Sequence, residues 1–252
     1  MRGVKRMKLN RFFYDGPLQL GSEIVLDGDE FRHAFLVLRT RESEQICLFN
    51  GDGVDYVATA QKIGKKDATL RIVSATQNNT EAHTFLRVYQ ALAKGDKLSL
   101  VAQKLTEIGA SEMACFHSEF CDVKQTTAKL DRLDRVVVSA CKQCGRARTM
   151  ETSDTPLKFG ELAASFTDLD AVFLAYENET ENDFAESLYA LKNAKKTGLK
   201  VGLIIGPEGG FSVEEVSTLE KAGTRVVTLG KRILRTETCA IVAAGLIIQI
   251  LG

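Results

Sequence analysis

The C-terminal fifth of the chain, residues 201–252, carries the pattern that most restricts the fold. It begins with an uninterrupted apolar run, 201–205, which ends at the sequence Gly-Pro-Glu-Gly-Gly at 206–210. An apolar run without polar alternation is typical of a strand that is buried on both faces, as in a parallel sheet covered by helices. Glycines after such a strand let the backbone approach a ligand closely. The pattern therefore favours an α/β sheet with a site at its edge.

A strong helix-start signal follows the glycines. Ser212 and Glu215 have the spacing of a capping box, and Phe211 and Val216 have the spacing of a hydrophobic staple. The helix is predicted to stop at Gly223, because glycine tolerates the left-handed backbone that closes many helices. The remaining segments are predicted to be a strand, a polar loop and an almost wholly apolar helix, at 225–229, Gly230–Thr238 and Cys239–Leu251.

Two loops of this region are predicted to leave the same ends of neighbouring parallel strands, where open α/β sheets bind their ligands. The loop at 206–210, taken alone, is equally well explained as a tight turn between a strand and a helix. The second loop places Arg232, Arg235, Thr236 and Glu237 just before a buried helix. The combination of the two loops favours a binding site over a plain turn.

The two loop sequences also carry a family resemblance. The sequence Ile-Gly-Pro-Glu-Gly-Gly-Phe-Ser at 205–212, followed by Leu-Gly-Lys-Arg-Ile-Leu-Arg-Thr-Glu-Thr at 229–238, resembles the RsmE family of RNA methyltransferases. The segments 94–109 and 143–146 resemble the family pattern as well, so the resemblance covers nearly the whole chain. Two places depart from the pattern, at Ser43-Glu44 and at Cys144.

The resemblance implies a fold, a reaction and partners. It implies a SPOUT-class enzyme that uses S-adenosylmethionine to methylate N3 of a specific uridine in the 16S ribosomal RNA of the small ribosomal subunit. It implies an α/β domain with a deep trefoil knot and a parallel sheet, and an N-terminal PUA-like β-barrel domain that positions RNA. It also implies a homodimer with the cofactor pocket at its interface. The knot follows only from the resemblance, because knots are rare exceptions to the rules of topology.

Two domains are predicted, a PUA-like β-barrel domain over 1–78 and a methyltransferase domain over 79–252. In the first, several short strands are separated by turns, and Asn50–Gly53 between two strand patterns is a strong hairpin signal. From Phe85 onward strand and helix patterns alternate, which predicts a parallel sheet covered by helices on both faces.

The N-terminal domain is predicted to contain one short helix at 30–38. Its apolar residues Phe31, Ala34, Phe35 and Leu38 share one helical face, which is expected to point towards the core.

Two helices are predicted in the first half of the methyltransferase domain. One starts after the N-cap Asp96, and three lysines around it are expected to face water: Lys94, Lys97 and Lys104. The other covers 130–144, and Arg146 and Arg148 follow it in a stretch that is expected to be exposed. These two arginines either complement the helix dipole or contact RNA phosphates, and Arg146 is the better candidate for RNA because its motif matches the family.

Composition narrows the possible partners. The 33 basic and 33 acidic residues give a formal net charge of zero, so no global positive field attracts RNA and contacts must come from local patches. No apolar run is long enough to cross a membrane. The six cysteines suit reduced thiols in a cytoplasmic protein. Cys141 and Cys144 are spaced as C-x-x-C, but without a second pair no metal site is expected.

The predicted chemistry sets the candidate catalytic residues. Methyl transfer depends on positioning of donor and acceptor, and the acceptor nitrogen must lose its proton. A cation beside the oxygens of uracil stabilises the anion that forms at N3. Arg235 is the first candidate, with Arg11 or Arg146 as helpers. Glu237 or Glu208 are the alternative, as proton acceptors.

Binding residues are predicted from the same motifs. The cofactor is expected to contact the end of the strand near 174–177 and the two loops, through Leu174, Tyr176, Glu177, Ile205, Gly206, Pro207, Glu208, Gly209, Gly210, Leu229, Gly230, Ile233, Leu234 and Thr238. RNA is expected to contact Arg11, Arg39, Arg146 and Arg148, and a basic arm at 1–11 is an equal candidate for phosphate contact or for a solvated terminus.

Three other functions remain open at the level of sequence. A nucleotide-binding oxidoreductase is disfavoured, because Lys94-Gly95-Asp96 stands where Gly-x-Gly-x-x-Gly is expected. A non-catalytic RNA-binding protein of ribosome assembly is disfavoured by the two matched loops. Within the same enzyme class, methylation of another nucleotide or of a ribose 2′-hydroxyl is the nearest rival.

Overall fold

The structure is a computed structural model that describes residues 9–121, 130, 132–194 and 197–252. Contacts divide the chain into two compact units. The first contains the described residues up to Glu81 together with Cys141–Thr149, and the second contains Ala82–Ala140 and Met150–Gly252. The boundary predicted after residue 78 stays a prediction. Most of the predicted basic arm lies outside the described residues.

The first unit is built on a curled, five-stranded sheet. Its strands are β1 (Arg11–Phe13), β2 (Glu23–Leu26), β3 (Gln45–Phe49), β4 (Val54–Ile63) and β5 (Ala68–Gln77). The order across the sheet is β1-β3-β4-β5-β2. Neighbours are antiparallel except β1 and β3, which are parallel. The predicted hairpin joins β3 to β4, and its turn has positive φ at Gly51 (92°) and Gly53 (93°), where glycine has no steric penalty.

The short helix of the first unit differs from the predicted one. A single α-helical turn, α1 (Gly28–Phe31), continues directly as a π-helical turn over Arg32–Val37. Phe31 and Phe35 are buried as predicted, but Leu38 is 42% exposed. The prediction for Leu38 is wrong because a π-helical turn pairs residues five apart, which rotates later residues away from the face that an α-helix would bury.

The second unit is a six-stranded sheet covered by helices. Its strands are β6 (Phe85–Ala91), β7 (Glu112–Phe116), β8 (Glu151–Thr152), β9 (Ala171–Ala175), β10 (Lys200–Ile205) and β11 (Arg225–Val227). Its helices are α2 (Lys97–Ile108), α3 (Leu133–Cys144, whose last four residues count with the first unit), α4 (Phe184–Ala194), α5 (Val213–Lys221) and α6 (Thr236–Leu251). The order is β11-β9-β10-β6-β7-β8, and all the pairs are parallel. The predicted parallel sheet is confirmed.

The start and end of α5 follow the local signals in the sequence. The backbone N–H of Glu215 donates to Oγ of Ser212 over 3.3 Å, and the N–H of Ser212 donates to the Glu215 carboxylate over 3.1 Å. The helix ends at Lys221, and Gly223 has a φ of 90°. The capping box therefore fixes where the loop after β10 turns into a helix.

The final helix begins earlier than predicted, at Thr236 instead of Cys239. The hydroxyl of Thr236 donates to the carbonyl of Gly206 over 2.6 Å and accepts from Nε2 of Gln90 over 2.9 Å. These bonds tie the first turn of α6 to the ends of β10 and β6, so Thr236 and Glu237 are helical rather than part of a loop.

The path of the chain after β11 is the least regular feature of this unit. β11 is an edge strand, whereas α6 packs on β6 and β10 at the centre of the sheet and against α2 and α4. The chain therefore returns from the edge to the centre, which is the kind of return that the predicted trefoil knot requires. Residues of α6 are buried in this position, among them Ala240, Ala243, Ala244 and Ile247.

Candidate functional site

Two cavities lie at the carboxyl ends of β9, β10 and β11. The first has an empty volume of about 360 Å³. It is lined by the end of β9 and by the segment after β11, through Ala175, Tyr176, Glu177, Thr228, Leu229, Gly230, Arg232, Ile233, Leu234 and Cys239. The second has an empty volume of about 710 Å³. It is lined by Lys97, Glu177, Pro207, Glu208, Gly210, Ile233, Leu234, Arg235 and Thr236. Glu177, Ile233 and Leu234 line both, so the cavities adjoin.

Most of the residues predicted from the two loop motifs are brought together here. Nine predicted cofactor residues line one cavity or the other: Tyr176, Glu177, Pro207, Glu208, Gly210, Leu229, Gly230, Ile233 and Leu234. Leu174 and Ile205 are instead buried within their strands. Gly206, Gly209 and Thr238 are not among the lining residues. Ala175, within the predicted stretch 174–177, lines the first cavity, and so do Thr228 and Cys239, which no local pattern in the sequence marks.

The glycines of the loop after β10 are required by close neighbours. Gly210 has a φ of 71°, and a Cβ built there would overlap the carboxylate of Glu177. A Cβ at Gly206 would stand 2.8 Å from the ring of Phe211, and one at Gly209 would stand 2.8 Å from Cβ of Phe120. The loop can hold this course only without side chains at these positions, which leaves its backbone close to the cavity.

The segment after β11 lines the first cavity and has backbone N–H groups without a protein partner among the described residues. Among the described residues, no hydrogen bond uses the backbone N–H of Leu229, Ile233 or Leu234. Unpaired backbone groups of buried or half-buried segments are uncommon in folded proteins unless a ligand or water completes them. Ile233 is 83% exposed, an unusual position for an isoleucine. These features fit a segment that is completed by a bound molecule.

Cys239 contributes a neutral surface to the first cavity. Burial and, to a smaller extent, the charge of Glu177 raise the pKa of its thiol to about 12. The thiol therefore stays protonated near neutral pH, so its contact is apolar and it is no nucleophile.

The second cavity carries the charged groups. Arg235 is exposed, directly precedes α6, and forms no ion pair within the described part of the chain. Lys97 pairs with Glu208 over 2.8 Å and approaches Glu237 to 3.8 Å. Lys97 is therefore only partly exposed, contrary to the prediction that it faces water. The cavity thus holds one free guanidinium group beside a lysine that is shared by two carboxylates.

Glu208 is poorly suited to accept a proton. Burial alone would raise the pKa of its carboxyl, but hydrogen bonds from Lys97 and from the backbone N–H of Lys94 outweigh burial and lower that pKa below its usual value. A carboxylate with a lowered pKa is a weaker base.

Two of the arginines predicted to act on RNA are occupied by other groups. Arg146 is only 4% exposed, and both oxygens of Glu81 accept from it, over 3.2 Å and 2.8 Å. Arg11 pairs with Asp55 over 2.8 Å and donates to the carbonyl of Arg146 over 2.9 Å. The expectation that Arg146 lies in an exposed stretch is wrong, because the fold of the first unit brings Glu81 to it from far along the chain.

The other two arginines remain on the surface of the first unit. Arg148 is exposed, and its guanidinium lies close to Gly53, where any Cβ would be crowded. Arg39 is exposed and has a φ of 56°, a left-handed backbone that is uncommon for residues other than glycine.

Comparison with known proteins identifies the family to which the chain belongs. A family model described as an RNA methyltransferase domain matches residues 80–248, and one described as an RNA methyltransferase PUA domain matches 26–73. The ribosomal RNA small subunit methyltransferase E of Mycobacterium bovis is 31% identical over 243 residues, 93% of this chain and 89% of that protein. The chain belongs to this methyltransferase E family. The resemblance that rested on the two loop motifs is confirmed.

Further similar proteins match most of the length of the chain. The protein of that name from Bacillus subtilis is 28% identical over 222 residues, 86% of each chain. A solved methyltransferase from Legionella pneumophila, in complex with the bound cofactor SAM, has a TM-score of 0.84 at 29% identity and covers 95% of this chain and 97% of its own. A ribosomal RNA small subunit methyltransferase E from Neisseria gonorrhoeae, bound to S-adenosyl methionine, has a TM-score of 0.82 at 28% identity, with 94% and 95% coverage.

The described part of the chain shows no metal-binding group of three or more His, Cys, Asp or Glu residues. In the pair spaced as C-x-x-C, burial raises the pKa of Cys141 to about 12, so its thiol stays protonated near neutral pH. Among the helices that the structure describes, none is both long and apolar enough to cross a lipid bilayer.

Proposed function

We propose that this protein transfers a methyl group from S-adenosylmethionine to N3 of a specific uridine in the 16S ribosomal RNA of the small ribosomal subunit. The observation that carries the proposal is the pair of adjoining cavities, one with open backbone donors and one with a free guanidinium group. Membership of the methyltransferase E family supports it, as do two similar proteins that were crystallised with S-adenosylmethionine.

The first cavity and the glycine loop fit the cofactor. Open backbone N–H groups at Leu229 and Leu234 suit the nitrogen acceptors of an adenine ring, and the carboxylate of Glu177 suits hydroxyl donors or a cationic group. The crowded glycines keep side chains out of the space beside them. When bound, S-adenosylmethionine supplies an electrophilic methyl group on a sulfonium centre. The role of the chain is to bind and orient, which supplies much of the acceleration of such transfers.

Arg235 is the residue we assign to the acceptor base. Deprotonated uracil spreads negative charge from N3 onto its two carbonyl oxygens, and a guanidinium beside those oxygens stabilises the anion. Arg235 suits this role because no ion pair among the described residues engages it and because its place before the first turn of α6 fixes its backbone. Glu237 is the better of the two candidate proton acceptors, since hydrogen bonds to Glu208 lower the pKa of its carboxyl and make it a weaker base.

We assign RNA binding in the first unit to its exposed arginines, Arg39 and Arg148. Arg11 and Arg146 are already neutralised by Asp55 and Glu81, so they are no longer free for phosphates. We further propose a cytoplasmic homodimer. The face of α6 that includes Val242, which is 42% exposed, supplies an apolar surface for a second copy. Light scattering of the purified protein tests this, and a monomer at micromolar concentration would contradict it.

The decisive experiment maps modified nucleosides by mass spectrometry in 16S ribosomal RNA from a strain that lacks the gene. The expected result is the loss of one N3-methyluridine, restored by the native gene. In a second arm, purified protein and S-adenosylmethionine are added to small subunits and to free RNA from that strain, which shows which of the two is the substrate. Loss of a different methylated nucleotide or of a ribose methyl group would overturn the proposed target. Unchanged RNA would overturn the proposed activity.

A further inference from the structure

Lys97 stands where the electrostatics of its own helix disfavour a cation. It is the first residue of α2 and lines the second cavity. The N-terminus of a helix carries positive partial charge from the aligned peptide dipoles, so a lysine there is unfavourable unless negative groups offset it. The first turn of α2 contains no acidic residue. The N-cap residue Asp96 makes no side-chain hydrogen bond to the helix, and the acids paired with Lys97 among the described residues lie outside α2.

Two carboxylates from separate segments supply that compensation. Nζ of Lys97 donates to Oε1 of Glu208 over 2.8 Å, and the same oxygen accepts the backbone N–H of Lys94 over 3.0 Å. Nζ also lies 3.8 Å from Oε2 of Glu237. Glu208 belongs to the loop after β10, and Glu237 belongs to the first turn of α6. One ammonium group thus connects three segments that meet at the cavity.

Glu237 depends on this lysine more than Glu208 does. Its side chain is 14% exposed, and its Oε2 atom is buried without a hydrogen-bond partner among the described residues. A buried carboxylate without compensation is costly, so it either moves, binds a cation or takes up a proton. In the described part of the chain, Lys97 is the one cation paired with Glu237.

We propose that Lys97 is a positioning residue for methyl transfer, whose ammonium group bridges Glu208 and Glu237 and thereby fixes the loop after β10 against the first turn of α6. Arg235 lies two residues before Glu237, so the same bridge sets where its guanidinium group stands. The inference rests on the proposed function, because it gives the residue a role in the same site. Lys97 acts through these neighbours and is not assigned a contact with the methyl group or the acceptor nitrogen.

The same helix offers a matched control. Lys104 is paired with Glu107, three residues further along α2, over 2.9 Å, and it lines neither cavity. Lys97→Met and Lys104→Met remove the same charge from the same helix and keep a side chain of similar length. Lys97→Arg keeps the charge and tests whether a cation at this place is sufficient.

The experiment measures kcat, KM, S-adenosylhomocysteine affinity and melting temperature for these variants, with small subunits that lack the methyl group as substrate. For Lys97→Met we expect kcat to fall by about 10- to 100-fold, because small displacements of reacting groups lower the rates of other enzymes by such factors. S-adenosylhomocysteine should still bind, since Lys97 is not among the residues that line the first cavity. Lys97→Arg should recover most of kcat, and Lys104→Met should behave as the native protein does.

The pH profile separates this role from a merely structural one. The charged groups around Lys97 are Glu208 and Glu237, with Glu177 and Arg235 lining the same cavity. Without the ammonium group, Glu208 loses the hydrogen bond and the charge that lower the pKa of its carboxyl, so that pKa rises. The acidic limb of kcat against pH should therefore move to higher pH in Lys97→Met and stay in place in Lys104→Met.

The possible outcomes separate cleanly. Native kcat and an unmoved acidic limb in Lys97→Met would overturn the inference. So would a loss of kcat that comes with a collapsed melting temperature and is not recovered by Lys97→Arg, because Lys97 would then only hold the fold together. If the native protein itself methylates no RNA, the proposed function has failed and not the role of Lys97 within it.

Discussion

In the first unit, Arg146 is 4% exposed and both oxygens of Glu81 accept from it, whereas in the second unit Arg235 is exposed and pairs with no acid that the structure describes. The two arginines look alike in the sequence, since each belongs to a motif that resembles the family pattern. What separates them is whether the fold brings a carboxylate to the guanidinium group. A paired and buried arginine holds structure together, and an unpaired one at a cavity is available to a substrate.

Of the substitutions that test this comparison, Arg235→Ala should have the largest effect, a loss of methyl transfer. Removing one preorganised group that stabilises developing charge lowers kcat by about 10²- to 10³-fold in comparable enzymes. Methyl transfer to small subunits from tritiated S-adenosylmethionine measures the loss, and S-adenosylhomocysteine affinity should stay measurable by calorimetry. Lys231→Ala, a charge removal at an exposed position of the same loop, is the control. Unchanged methylation by Arg235→Ala would remove this residue from the mechanism.

Arg146→Ala should instead reduce stability. The substitution leaves the carboxylate of Glu81 without its partner, and breaking a buried ion pair costs about 3 kcal/mol or more of the free energy of unfolding. Denaturant unfolding followed by circular dichroism measures this, with the exposed Arg148→Ala as a control that should change stability by less than about 0.5 kcal/mol. If Arg146→Ala is as stable as the native protein but no longer methylates RNA, the comparison between the two arginines is broken and Arg146 is catalytic.

Gly210→Ala tests whether the loop after β10 in the second unit needs a residue without a side chain at this position in order to bind the cofactor. The left-handed backbone costs a residue with a Cβ about 1 kcal/mol, and overlap with the Glu177 carboxylate adds to that. Gly223→Ala has a similar φ of 90° but no atom within 4 Å of the added Cβ, so it carries the backbone cost alone. We expect weaker S-adenosylhomocysteine binding for the first variant only. Equal binding by both would mean that Gly210 is free to move away from Glu177.

Arg148→Ala and Arg39→Ala should have the smallest effects. Each removes one exposed charge from the first unit and should weaken RNA binding several-fold. The slope of log K against the logarithm of the salt concentration should decrease by the amount expected for about one phosphate contact. Filter binding of a 16S ribosomal RNA fragment over a series of salt concentrations measures both quantities. Identical slopes for native protein and both variants would place the RNA-binding surface of the first unit elsewhere.

Local signals predicted those parts of the fold that local contacts determine. The capping box of Ser212 and Glu215 forms as expected, because its donors and acceptors are three residues apart. The parallel sheet follows from buried apolar strands that alternate with helices. The two loop motifs led to the residues that line the cavities, because loops that follow neighbouring parallel strands must emerge at the same edge.

Features that depend on distant residues were predicted less well. The burial of Arg146 depends on Glu81, which is 65 residues away in the sequence. The early start of α6 depends on bonds from Thr236 to Gly206 and Gln90, which no local pattern reveals. The expectation that Lys97 faces water was wrong because its two carboxylate partners come from other segments of the chain, which no local pattern indicates. In each case the missing information is which polar groups the fold brings together.

The return of the last helix to the centre of the sheet determines when, during synthesis of the chain, the cofactor site can form. Domains emerge from the ribosome in order, N-terminal first. Both loops that line the cavities, and the first turn of α6 that is bonded to β6 and to the residue after β10, come after most of the sheet in the order of the chain. A nascent chain that has not yet been extended through residues 206–238 therefore has no place to hold the methyl donor.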